Sequence, residues 1–153
     1  MSERLKRTLQ ILLQLDDTPH RIALSFAIGV SIAFSPFLGI HTGLALAIAY
    51  ALGLSRAAMV IGAYVNNPWT IAPMYTAGTL LGCYILGVPP EGLSQIEWEF
   101  HGHAFYVAMF QALRPYILPF VLGNSLLGAV GAVGAYFTLR SVLQKRRQAE
   151  ARS

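Results

Sequence analysis

Asn66-Asn67-Pro68-Trp69-Thr70-Ile71-Ala72-Pro73-Met74-Tyr75 interrupts a stretch, Ala57 to Pro90, that carries no charged residue. An apolar run of that length belongs in a bilayer. Two adjacent amides, two prolines and a threonine are foreign to a simple crossing. In hydrocarbon every backbone N–H and C=O has to be satisfied within the protein, and proline removes a donor and interrupts the helical ladder. Such a segment is tolerated where it is buried in protein or lines a wet cavity, and broken helices at membrane depth are where transporters place their sites.

On its N-terminal side lies a second run without Asp, Glu, Lys or Arg, Ile22 to Ser55, of 34 residues. As one straight helix it would be about 50 Å long, against a hydrocarbon core of about 30 Å. A bend is encoded at Phe34-Ser35-Pro36-Phe37-Leu38-Gly39-Ile40-His41-Thr42-Gly43. Short helices over 22–34 and 42–54 would each reach about 20 Å, as two thin passes or a re-entrant hairpin. Arg56 separates the two runs and suggests a return to the cytoplasmic face. Beyond it the pattern predicts a helix over 57–65, the Asn-Asn-Pro break, and a helix over 71–87 that Pro89-Pro90 ends. Gly78 and Gly82, with Ala77 and Cys83 nearby, form a small-residue face suited to close packing.

The flanks differ in character. Residues 1–20 read as an amphipathic lead-in, with Leu5, Leu9, Leu12 and Leu13 on one face, suited to lying on an anionic leaflet. Asp16-Asp17-Thr18-Pro19 ends it and caps the next helix. Residues 89–103 hold Glu91, Glu97, Glu99, His101 and His103 without Lys or Arg, and read as an outside loop. Glu97, Glu99, His101 and His103 alternate and would share one side of an extended segment, a pattern open to metal binding but read first as a solvated acidic loop with a helix start. In the terminal apolar region, 104–140, a short apolar segment, Phe105 to Leu113, is followed by Arg114 and Pro115, and Ile117 to Leu139, which contains Pro119, reads as a crossing of 23 residues. A basic tail, 141–153, suits an anionic cytoplasmic surface. Pro36-Phe37-Leu38 is loosely echoed by Pro119-Phe120-Val121, as in a repeat.

Hydrophobic residues make up 55% of the 153 and charged residues 12%, about half the charged share of soluble domains. The expected fold is therefore an all-α membrane protein in one domain, 1–153. Short broken or re-entrant helices occupy 22–88, between the amphipathic helix and the basic tail. The net charge of +4 sits near the ends, which argues against nucleic acid and for two cytoplasmic termini. Cys83, the single cysteine, excludes an intrachain disulfide and reads as a small buried residue. No cleavable leader is expected, because the first apolar run exceeds a signal-peptide core of about 7–15 residues.

Ser35-Pro36-x-x-Gly39-x-His41-Thr42, Asn67-Pro68-x-Thr70-x-x-Pro73-x-Tyr75, and Gly78 with Gly82 resemble a bacterial membrane family catalogued as domain of unknown function 2062. Trp69 stands where that pattern has a smaller apolar residue. The resemblance covers about 22–88 well and implies an inner-membrane protein. Some relatives are joined to lipid-linked glycosyltransferases, which implies polyprenyl-lipid work. The proline-broken architecture is also similar, more distantly, to DedA-like lipid-carrier transporters, a likeness of fold rather than of site.

Candidate substrate-binding residues are Pro36, Gly39, His41, Thr42, Asn66, Asn67, Pro68, Thr70, Pro73 and Tyr75, with Arg114 as a charge partner or a snorkelling surface residue. His41 is the ionisable group within the long runs, suited to carrying a coupling proton or to bonding a carbonyl freed by Pro36. Asn66, Asn67 and Thr70 cap the following helix, whose N-terminus would present its positive dipole end to a phosphate. The expectation is a small transporter or lipid-carrier translocation protein for a polyprenyl phosphate or small anion. Its site would lie where the 35–43 and 66–75 breaks meet, in a homo-oligomer. The alternative is a membrane scaffold for an envelope glycosyltransferase. An intramembrane enzyme using His41 would need a nucleophile or carboxylate that the apolar runs lack. No catalytic residue, metal or cofactor is expected.

Overall fold

Helix starts and stops in the computed structural model follow local chemistry closely. It describes residues 11–12, 15, 17–35, 40–65, 68–93 and 102–150, with backbone alone at 68–72, 92–93, 102–113 and 150. The chain is all-α, without a strand among the described residues. The helices are α1 (Pro19–Ala33), α2 (His41–Ala51), α3 (Arg56–Ala63), α4 (Pro68–Leu86) and α5 (Gly102–Glu150), with a 3-10 turn at Pro90–Leu93.

Thr18 caps α1, its hydroxyl accepting from the Arg21 amide at 3.3 Å, and Pro19 occupies the first helical position, where its missing N–H is harmless. Ser55 caps α3 in the same way through the Ala58 amide at 3.4 Å. Helices α2 and α4 both end on a glycine with positive φ. Gly53 and Gly87 sit at +61° and +65°, while Leu54 N–H returns to the Ala49 carbonyl and Val88 N–H to the Cys83 carbonyl. These are Schellman closures, which only a left-handed residue permits.

The chain divides into two compact units, Met1–Asn67 with Gly128–Ser153, and Pro68–Leu127. In the first, α1 and α3 meet at backbone distance. A methyl group on Gly29 would overlap the Met59 carbonyl, and one on Gly62 would overlap the Phe26 carbonyl. Small residues therefore set the helix separation, as in membrane bundles. Ser25, wholly buried, donates to the Arg21 carbonyl at 2.6 Å and accepts the Ser55 amide at 3.0 Å. Leu12 packs with Ile22, Ala23, Ala58, Leu139 and Leu143. The expected leaflet-facing leucine face of the lead-in thus meets protein at Leu12; most of 1–20 lies outside the described residues.

In the second unit α4 lies against α5 at Pro119, Gly123 and Asn124. A methyl on Gly82 would overlap the Pro119 carbonyl, and one on Gly123 the Gly78 carbonyl. The expected packing face of Gly78, Gly82 and Cys83 is buried, but Ala77 is exposed and is no part of it. Tyr116 donates to the Pro89 carbonyl at 3.0 Å.

Three further expectations are corrected. Helix α4 starts at Pro68, not near 71, and continues through Pro73. Proline is compatible with a first turn, and a helix buried on one side survives the single lost bond at Pro73. The terminal region is one continuous helix through Pro115 and Pro119 into the basic tail, not a short segment followed by a crossing from Ile117. His103 lies in its first turn, so it cannot belong to an extended ligand array; Glu97, Glu99 and His101 lie outside the described residues.

Burial is inverted. The buried positions are mostly Ala, Gly and Ser, whereas Tyr84 is 87% exposed, Tyr50 80% and Val130 72%. Arg114–Ala149, within α5, is long and apolar enough to cross a membrane, the one such helix among the described residues; 22% of its apolar window is buried.

Candidate functional site

The start of α2 holds two residues of the predicted site, His41 and Thr42. Ile40, at its N-cap, offers no side-chain hydrogen bond to the first-turn amides. His41 and Thr42 follow, both partly buried. Across from them stands Tyr64, at the C-cap of α3. Its hydroxyl and that of Thr42 share a hydrogen bond of 2.9 Å. Its ring meets the His41 imidazole edge-on, with centroids 5.2 Å apart. At Gly43 an added methyl would meet nothing within 4 Å, so the first turn opens onto free space.

This arrangement offers an imidazole, two hydroxyls and the uncapped amides of a helix start, with no carboxylate among them. Such a set can donate hydrogen bonds to an anionic oxygen, aided by the helix dipole. Tyr64 was not among the residues singled out from sequence. Its one sequence signal was its place at the end of the 57–65 helix, two residues before the amide pair.

The remaining candidates are distributed otherwise. Pro36, Gly39, Asn66 and Asn67 lie outside the described residues. Pro68 opens α4, and Thr70 lies in its first turn. Pro73 is exposed, and Tyr75 is partly buried with its ring edge-on to Phe120 at 5.2 Å. Arg114 is exposed on α5. Pro68, Thr70, Pro73, Tyr75 and Arg114 belong to the second unit, and His41, Thr42 and Tyr64 to the first.

A family model described as an uncharacterized protein conserved in bacteria, DUF2062, matches residues 2–152. The chain belongs to this bacterial family. The DUF2062 match extends past the 22–88 region that carries the motifs and takes in both flanks. No curated protein and no solved structure matches the chain. Among its described residues this DUF2062 member has no cluster of three metal-ligating side chains.

One buried polar group of the second unit had no place in the sequence reading of the site. Asn124 is fully buried, donates from Nδ2 to the Phe120 carbonyl at 2.9 Å, and leaves its Oδ1 without a hydrogen-bond donor. A methyl on Gly78 would overlap this amide, so the glycine is what lets Asn124 fit.

Proposed function

We propose that this chain is a multi-pass protein of the bacterial inner membrane that translocates a lipid phosphate or small anion as a homo-oligomer. The exposure of large apolar side chains carries the membrane part of the reading. Helices that contact one another through glycine and alanine while presenting Tyr50, Tyr84, Val130, Leu118 and Phe137 outward suit a hydrocarbon solvent, not water. Both termini are read as cytoplasmic from their basic residues.

The His41–Thr42–Tyr64 group supports the transport part. Hydrogen-bonding side chains without a carboxylate, at an uncapped helix start beside open space, suit a phosphate or similar anion. His41 would carry the coupling proton. A second copy would complete a path that a chain of 153 residues has little room to enclose.

The test is single-cysteine labelling at positions 40–43 and 64–65 in intact cells, with Cys83 replaced. Labelling by an aqueous reagent supports a wet vestibule. A vestibule closed to the reagent at every position would overturn transport and favour a scaffold for an envelope enzyme. In vesicles, His41→Ala should abolish proton-coupled phosphate or lipid-phosphate flux while the protein still inserts.

A further inference from the structure

We propose that His20, Tyr136 and Arg140 form an acid-weakened latch between the start of α1 and the basic end of α5. Tyr136 Oη lies 2.8 Å from His20 Nδ1 and 2.8 Å from an Arg140 Nη1 that donates to it. The rings of His20 and Tyr136 meet edge-on at 5.8 Å, and the guanidinium lies 5.7 Å from the Tyr136 centroid.

Arginine only donates, so the phenol oxygen is the acceptor there. The phenol's single hydrogen is then free to donate to His20 Nδ1, which accepts only when it carries no proton. The arrangement that keeps the phenol hydrogen within the trio is a neutral imidazole with its own hydrogen on Nε2. When Nδ1 takes a proton, two cationic donors converge on one phenol oxygen and the phenol hydrogen loses its acceptor. The latch therefore holds while Nδ1 carries no proton and weakens when acid puts one there.

The described charges around it do not offset this. Asp17 is engaged by Arg21 at 3.5 Å and accepts the Thr18 amide at 2.7 Å, and its backbone carbonyl takes Arg147. Arg21 also donates to the Gly53 carbonyl. Arg56, exposed at the start of α3, and the exposed Lys145, Arg146 and Arg147 on α5 add positive charge only. The latch stands independently of what the protein translocates. It would make the seating of α1 on α5 responsive to acidification on the side where the basic residues lie.

The experiment uses the full chain in zwitterionic nanodiscs. Nitrogen NMR of the wild-type imidazoles at pH 7.5 should find His20 protonated at Nε2 alone; protonation at Nδ1 there would overturn the latch. Melting temperature is compared at pH 7.5 and 5.5. His20→Gln keeps an acceptor without a titration, and the pH-dependent fall should shrink by about 2–4 °C, the shift for one hydrogen bond in a chain of this size. Tyr136→Phe should shrink it equally, which guards against a variant that fails to fold. His41, His101 and His103 remain in both variants, so a fall as large as wild type in both would also overturn the latch.

Discussion

The Ser25 hydroxyl accepts the backbone amide of Ser55, 3.0 Å away and thirty positions later in the chain. One buried side chain thus ties the middle of α1 to the cap that starts α3, and donates at 2.6 Å to the Arg21 carbonyl. Ser25→Ala should leave that amide without its partner and lower stability by about 1–3 kcal/mol. A detergent melt followed by helical circular dichroism reads this directly. An unchanged melt would mean that the amide finds another acceptor.

Glycines at crossing points and a glycine in open space should respond in opposite directions. Gly29→Ala or Gly62→Ala forces a methyl into a facing carbonyl and should destabilise by about 1–3 kcal/mol. Gly134→Ala, with nothing within 4 Å, should be neutral or stabilising by up to about 1 kcal/mol. Comparing the three melts separates close packing from helix propensity.

Asn124 makes a charge test. Asn124→Ala removes an unpartnered oxygen along with the Phe120 contact, and should change stability by no more than about 1 kcal/mol. Asn124→Asp would bury a carboxylate beside the Gly78 backbone, at a penalty of several kcal/mol. Size-exclusion profiles at pH 8 should show a monodisperse alanine variant and an aggregated aspartate variant. Two identical profiles would mean that water reaches this position.

Tyr64→Phe isolates one contact of the candidate site. It keeps the ring against His41 and deletes the 2.9 Å bond to Thr42. If Tyr64 holds Thr42 toward an anion, phosphate flux in vesicles should fall by about tenfold, the equivalent of roughly 1.4 kcal/mol, with folding retained. Equal flux in the variant would confine Tyr64 to packing.

Much of the helical layout was legible because its punctuation is local. Thr18-Pro19, Ser55 and the positive-φ glycines act on neighbouring amides, so short helices before and after 34–41 follow from residue order alone. Pro68 and Pro115 misled for the same reason: local rules treat proline as a break, yet Pro68 opens α4 and Pro115 lies inside α5. His41 and Thr42 stood out as polar residues in an apolar run. Tyr64 did not, because a tyrosine at a helix end becomes part of a site only when another helix start is brought opposite.

Sequence by itself determined the all-helical class, the family, the short reach of the first helices and the clustering of charge at the ends. Each follows from composition or from interactions a few residues long. Tertiary structure decided which glycines touch, that Ser25 and Asn124 are buried, and that Tyr64 joins His41 and Tyr136 joins His20. Those pairings depend on helix rotation and crossing distance, which small residues set only when two helices meet.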